Sequence, residues 1–356
     1  MKVAERFLKG VKGEMVKDMP ESLSFVPIPL ETLIEESSPD FDIYLQQGSG
    51  EKGVVLYREA NLFLSHNQLV RLKHNGIDTV FIRGADRGKR LRYMAGQLRQ
   101  VMERQNIPAS KQADMIYGLS KGVVENVMED PRIENVEICK EVAAQHVALI
   151  ISDDLAFQNF FKIMSYDYYT HTHSVNVCIF VTALIKALRL CDEQTMKVLG
   201  MGALLHDVGK SRIDKAILNK RGRLTPEEFE EIKKHPELGF KIVQDSSPLP
   251  AAGANIILNH HEKCDGSGYP RGLNADEIDV YSKITCIVDI FDALTTNRCY
   301  KDALPGFSAL EIMQNEMRDQ VNQDLLKELI MLIGKVSRPT VCRRQGIGGD
   351  DFGRQR

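Results

Sequence analysis

The chain has no CxxC pair and no regular spacing among its seven cysteines. Those thiols therefore read as reduced, mostly packing residues, which points to the cytoplasm. There is no large charge excess either. A formal net charge of −3 argues against a broad nucleic-acid-binding surface, and so against DNA as a partner, while leaving room for a local basic pocket. No apolar run approaches the length needed to cross a bilayer, so no membrane span is expected. The N-terminal stretch MKVAERFLKGVKGEMVKDM is amphipathic and lacks the apolar core of a secretory signal. No internal repeat is visible. The first eighty residues contain no phosphate loop, ligand cluster, aromatic cage or phospho-acceptor receiver pattern. What remains is ordinary globular composition, 43% hydrophobic and 27% charged over 356 residues, enough for one large or two ordinary domains.

The beginning of the chain differs in character from the rest. Phe41 to Leu45 and Gly53 to Tyr57 are rich in β-branched and aromatic residues, and Gly48-Ser49-Gly50 separates them, so they read as a hairpin-like pair of strands. Ser65 is placed to cap a short helix carrying Leu69, Val70 and Leu72 and ending at Asn75-Gly76. Thr79 to Ile82 makes a third strand. Residues 1–84 thus form a small α+β module. From about Ala85 helical periodicity takes over, with Leu91, Met94, Leu98, Val101 and Met102 on one face. Further helices are expected over 109–128, 132–152 and 154–165. The segment 85–149 is either a helical connector or a set of packing helices belonging to the next domain. Residues 150–338 are mostly helical, interrupted near 211–226 and 262–282, and 339–356 form a tail without apolar pattern that is expected to be disordered. The fold class is mainly α, a helical domain preceded by the small α+β module.

Six of the nine histidines lie between 171 and 261. A single histidine on a helix is more often a hydrogen-bonded or exposed residue than a ligand. Here, however, Gly202-Ala203-Leu204-Leu205-His206-Asp207-Val208-Gly209-Lys210 runs from an apolar helix straight into ionisable groups, which cost free energy unless paired or metal-bound. His173, His206, Asp207, His235, His260, His261 and Asp289 together make a mixed nitrogen and oxygen donor set. That set suits iron, manganese, zinc or nickel better than magnesium or calcium. Seven donors exceed what one catalytic ion needs, and two ions sharing a carboxylate fit the count. His171, two residues from His173, would point elsewhere on a helix. Lys210 adds a cation one turn from Asp207, where a substrate phosphate would sit. After the paired histidines, Gly266, Gly268 and Tyr269 form a turn that either is only a tight turn or faces the substrate.

The block His206-Asp207-Val208-Gly209-Lys210, the stretch HHEKCDGSGYP at 260–270 and the segment from Asp289 to Tyr300-Lys301 together resemble the HD-GYP family of the HD phosphohydrolase superfamily. The resemblance covers roughly 150–335 and takes in Ile217-Leu218-Asn219-Lys220, Leu224 to Phe229, and Ile232 to Gly239 in the family's order. It implies an all-helical, metal-dependent phosphodiesterase acting on cyclic di-GMP or a related cyclic dinucleotide. Carried over position by position, the metal ligands fall on His173, His206, Asp207, His235, His260, His261 and Asp289, with Asp207 bridging. Substrate-phosphate contacts fall on Lys210, Arg298 and Lys301, and loop contacts on Gly268 and Tyr269. Some members carry a Glu four residues before the first histidine and hold three metals. Tyr169 stands there, which favours two ions, with iron or manganese ahead of zinc or nickel. Asp214 and Cys299 stand where the family usually has Pro, and Cys299 lies between Arg298 and Lys301.

The implied chemistry is hydrolysis of cyclic di-GMP to the linear dinucleotide pGpG or on to GMP by a hydroxide that two metals activate, with Asp207 and Lys210 in catalytic roles. Lys210, Arg298 and Lys301 would stabilise charge on the phosphoryl oxygens. Asp292 and Glu262 read as outer groups that orient ligating imidazoles or hold the structure. Residues 1–84 would regulate the enzyme or choose its partner. Such partners include a diguanylate cyclase, another signalling protein or a second copy of the chain. Two other readings stay open: a cyclic-dinucleotide sensor or cyclase-docking protein with little hydrolysis, and a phosphodiesterase for 3′,3′-cGAMP. The Gly-Tyr-Pro turn argues against a dNTP hydrolase.

Overall fold

In a computed structural model of the chain the described residues are 25–46, 54–103, 107–153, 155–164, 170–220, 222–297 and 303–337. The amphipathic N-terminus, Gly48-Ser49-Gly50, Tyr169, Arg298, Cys299, Lys301 and the tail at 339–356 lie outside them.

Strands β1 (Phe25–Pro29), β2 (Ile43–Gln46), β3 (Val54–Arg58) and β4 (Thr79–Arg83) form an antiparallel sheet in the order β1-β4-β2-β3. β2 and β3 are the expected pair, with Leu45 opposite Val55. Helix α1 (His66–His74) starts where Ser65 and Gln68 cap each other, the Ser65 N–H donating to Gln68 Oε1 at 2.9 Å. It ends at Asn75, and Gly76 follows with φ of 73°. The sequence reading missed β1. Pro27 and Pro29 remove two backbone donors, so this segment is tolerated only at an edge, where Ile28 stands opposite Val80.

Helices α2 (Arg87–Glu103), α3 (Ala109–Glu129), α4 (Ile133–Ser152) and α5 (Ala156–Ile163) follow. α2 is tied to the sheet module through Tyr93, whose hydroxyl accepts the Ile34 N–H at 3.0 Å and lies 2.7 Å from Ser37 Oγ. α3 and α4 lie against α6 (Thr170–Leu188), and α4 also lies along α7 (Glu193–Leu205). Apolar residues from Ile28 in the sheet to Leu329 near the C-terminus form one continuous core.

α6 corrects one expectation. Its window His171–Leu188 is long and apolar enough, by length and composition, to cross a bilayer. The cause is its position in the fold. It is surrounded by α3, α4, α7 and α12 (Val280–Thr295), and 78% of that window is buried. A helix that is apolar all round is a core helix when other helices cover it.

α7 begins at Asp192, whose Oδ1 accepts the Thr195 N–H at 2.8 Å, and ends at His206. A short 3₁₀ turn (Val208–Arg212) follows, then α8 (Lys215–Leu218), α9 (Pro226–Ile232), α10 (His235–Ser246) and α11 (Ala251–Asn259). After α12 come α13 (Gly306–Asn315) and α14 (Gln323–Ser337). The 3₁₀ turn seats directly on the first turn of α10 because Gly209 has no side chain. A Cβ there would lie 1.9 Å from the His235 carbonyl oxygen and 2.5 Å from the Gly239 nitrogen.

Gly209→Ala is therefore expected to lower unfolding free energy by about 1–3 kcal/mol or more, since backbone must shift to admit the methyl. Gly96→Ala, a helix position with nothing within 4 Å of the added Cβ, is expected to stabilise by roughly 0.5–1 kcal/mol. Denaturant unfolding of both variants checks this pair. A second test concerns His146, wholly buried on α4 beside Ser120 of α3, where burial pushes the imidazole down to about 4. The unfolded chain takes up that proton near the ordinary value of about 6.5. Stability is then fully present above that value and is lost as pH falls towards 4. Between pH 6 and 5 His146→Leu should be shallower in its pH dependence by about 1 kcal/mol per pH unit, and identical slopes would contradict a neutral His146.

Candidate metal centre

The site gathers at the ends of elements rather than along any one of them. His173 comes from the first turn of α6, and Asp289 and Asp292 from α12. His206 and Asp207 follow α7, Lys210 lies in the 3₁₀ turn, His235 opens α10, and His260 and His261 follow α11. The seven expected donors fall into two groups. The ligand atoms of Asp207, His235, His260 and His261 lie within 4.8 Å of one another, and those of His173, His206 and Asp289 do likewise. Asp207 stands between the groups. Its Oδ1 faces His235 Nε2 at 3.3 Å and His260 Nε2 at 3.9 Å, while Oδ2 faces His206 Nε2 at 3.4 Å and His173 Nε2 at 3.8 Å. His171 is in neither group, and burial, with Lys121 and Arg90 adding to it, pushes its imidazole down to about 4.

The hydrogen bonds decide which nitrogen of each ring is free. His206 Nδ1 donates to the Ala203 carbonyl at 2.7 Å, His235 Nδ1 to that of Ile232 at 2.8 Å, and His260 Nδ1 to that of Ile257 at 2.9 Å. A carbonyl only accepts, so a proton sits on each Nδ1 and Nε2 is the ring atom turned inward. His173 Nδ1 donates to Asp292 Oδ2 at 2.7 Å, leaving its Nε2 2.9 Å from Asp289 Oδ1. Burial holds His260 well below the ordinary imidazole range, with the neighbouring imidazoles adding to it, and holds His261 down at about 3. His235 is also lowered by burial, against the pull of Asp207. Burial alone would raise Asp207, but Lys210 and the imidazoles outweigh it and keep the carboxylate ionised. Asp289 is ionised for the same kind of reason, through His173 and His261.

The inward Nε2 atoms of His173, His206, His235 and His260 therefore face the Asp207 carboxylate. His206 Nε2 and Asp207 Oδ1 are buried without any hydrogen-bond partner. Such an arrangement is costly unless cations complete it. The donor set, five imidazoles and two carboxylates, fits divalent transition metals.

Outer contacts hold the donors in place. Asp292 orients His173, as expected, and its Oδ1 accepts from Asn176 Nδ2 at 2.8 Å. Glu262 serves the loop. Its carboxylate, 1% exposed, accepts the Arg271 N–H at 2.7 Å and the Leu273 N–H at 2.9 Å, so it braces the loop after the paired histidines. Gly268 packs on that brace, since a Cβ would lie 2.5 Å from Glu262 Cα. Tyr269 lays its ring over His261 at 4.7 Å between centroids, and its N–H donates to the His261 carbonyl. Lys210 Nζ donates to Asp207 Oδ2 at 2.6 Å. Asp214, where the family pattern has Pro, caps α8 through the Ala216 N–H. Asn176 was missed from sequence, although its place one turn after His173 puts it on the same helix face. Lys233 was missed too; its ammonium lies 5.4 Å from the Phe229 ring centre and 6.0 Å from that of Tyr269. Arg298 and Lys301 fall outside the described residues.

With this geometry in hand, comparison with known proteins is direct. A family model described as HD domain matches residues 166–325. The chain is 28% identical over 229 residues to the cyclic di-GMP phosphodiesterase PA4108 of Pseudomonas aeruginosa, covering 63% of this chain and 54% of that one. It is 36% identical over 161 residues to the 3′3′-cGAMP-specific phosphodiesterase 3 of Vibrio cholerae, covering 45% of this chain and 35% of that one. The chain thus spans only about a third to a half of the length of these relatives. Among solved structures, Bd1817, an HDG"Y"P protein from Bdellovibrio bacteriovorus, shares the fold with a TM-score of 0.65 at 24% identity, over 87% of this chain and all of that one. Residues 166–325 thus match the HD domain family, and the likeness to cyclic-dinucleotide phosphodiesterases through this segment supports its resemblance to the HD-GYP family.

Proposed function

We propose that this chain is a phosphodiesterase that uses divalent metal to hydrolyse cyclic di-GMP to pGpG or GMP. The observation that carries the reading is the convergence of five imidazoles and two carboxylates in two groups, within which His206 Nε2 and Asp207 Oδ1 are buried without a hydrogen-bond partner. One ion would be held by Asp207, His235, His260 and His261, the other by His173, His206 and Asp289, with Asp207 available to both. Ions bound there supply Lewis acidity towards phosphoryl oxygen and lower the pKa of water.

The chain's own residues account for the rest. Lys210 lies beside Asp207 with its side chain 18% exposed, so its ammonium borders that carboxylate and can donate to a phosphoryl oxygen. Arg298 and Lys301 add cations in the same role. Tyr269 and the loop braced by Glu262 form the wall next to His261, and Gly268 lets that wall close on the backbone of Glu262 and Lys263. Residues 1–84 regulate the domain, and the single core running from sheet to α14 supports that coupling. The described cysteines are all free, which agrees with a reducing cytoplasmic setting. A second reading, action on 3′,3′-cGAMP, is favoured by the similarity to the Vibrio cholerae protein bearing that name.

Protein reconstituted with Mn²⁺ or Fe²⁺ without oxygen, given cyclic di-GMP, 3′,3′-cGAMP and dNTPs in parallel, separates these readings. Cyclic di-GMP turnover is expected to exceed that of the His206→Ala/Asp207→Ala double variant by roughly 10²–10³-fold or more. Binding without turnover above the double variant would leave a sensor, and preferential cGAMP turnover would establish the second reading. Lys210→Met is expected to lose about 10²-fold in kcat, comparable to removing one preorganised donor from an oxyanion. Elemental analysis should find two metals per chain, and a stable single metal would contradict the shared role of Asp207.

A further inference from the structure

The spacing of three residues between His173 and Asn176 puts both on one face of α6, and the same spacing puts Asp289 and Asp292 on one face of α12. These faces meet. A third helix joins them: α3 supplies Tyr117, whose hydroxyl donates to Asn176 Oδ1 at 2.8 Å. Asn176 Nδ2 donates to Asp292 Oδ1 at 2.8 Å, and Asp292 Oδ2 accepts from His173 Nδ1 at 2.7 Å. Tyr117, Asn176, Asp292 and His173 are 3%, 2%, 3% and 1% exposed, so no bulk water substitutes for a lost partner.

The direction of every bond in this chain is set. Asp292 is an acceptor at both oxygens, so it requires the amide nitrogen of Asn176 on one side and the Nδ1 proton of His173 on the other. The amide oxygen is thereby turned towards α3, where only a donor suits it, and the Tyr117 hydroxyl is that donor. Without it the oxygen is buried unpaired and the amide loses the contact that fixes its rotation. The consequence passes through Asp292 to the ring of His173, whose Nε2 is the inward-facing atom.

We infer that Tyr117 is a positioning residue for the metal centre, through which α3 sets the orientation of His173. α3 lies at 109–129, outside the segment 166–325 that matches the HD domain family, so the N-terminal helices complete the site as well as packing beside it. A shift of α3 along α6 would act on one metal group, that of His173, His206 and Asp289, and spare the other. The inference rests on the reading of His173 as a metal ligand.

The test is binding of Mn²⁺ and, separately, Zn²⁺ to the chelator-treated full chain, followed by calorimetry with chelator competition. Wild type is expected to take two equivalents, and His173→Ala to lose or greatly weaken one. Tyr117→Phe removes a single oxygen and keeps the ring, and should weaken that same equivalent by roughly three- to tenfold, below the range of about 10–100-fold for direct partners of ligands. The other equivalent should be unchanged. Ser120→Ala, on the same helix but bonded to Ile116 and His146 instead, should alter neither. Both equivalents unaffected by Tyr117→Phe, or both weakened alike with a lowered unfolding midpoint, would overturn the inference alone. Failure of the wild type to bind either metal would overturn the metal-centre reading and the inference with it.

Discussion

Asp207 is a carboxylate with 1% exposure placed among imidazoles, three of which commit their Nδ1 protons to backbone carbonyls. A buried anion has to be matched by positive charge. Lys210 supplies part of that match, on one oxygen. The rest falls to the imidazoles around it and to the cations that this donor set suits. The helical domain is arranged to hold this set: three histidines have Nδ1 tied to the carbonyl of the residue three before them in sequence, which orients each ring through local backbone. The local backbone thus fixes the tautomer, and the packing of helix ends fixes where the free nitrogens point.

The loop after the paired histidines takes on a different meaning in this setting. Its glycines look like a device for approaching phosphate. The contacts of Gly268 are with the Glu262–Lys263 backbone, and Glu262 spends its carboxylate on two loop amides. Rigidity is what these residues contribute directly, and Tyr269 carries it to His261 through ring contact and a backbone bond. Whatever the loop recognises, it recognises from a wall built onto a ligand.

Helices were readable because apolar residues recur with helical period and because caps mark their ends. The Ser65 cap and the Asn75-Gly76 stop are local signals that depend on neighbours in sequence. β1 was not readable, since two prolines in five residues argue against a strand until an edge position makes the missing donors harmless. The apolarity of α6 was misjudged for a related reason: burial on all sides, not membrane, selects its composition, and burial is a property of the surroundings.

The sequence by itself determined which side chains carry ligand chemistry, because residue type and local order are enough to name histidine, aspartate and the Gly-Tyr-Pro turn. Only the tertiary structure decided that Asp207 addresses both groups, that Asp292 and Asn176 stand behind His173, and that Tyr117 from a helix more than fifty residues away closes that line. Hydrogen bonds between helices depend on angle and separation to within tenths of an ångström, and no periodicity in a single chain encodes which faces will meet.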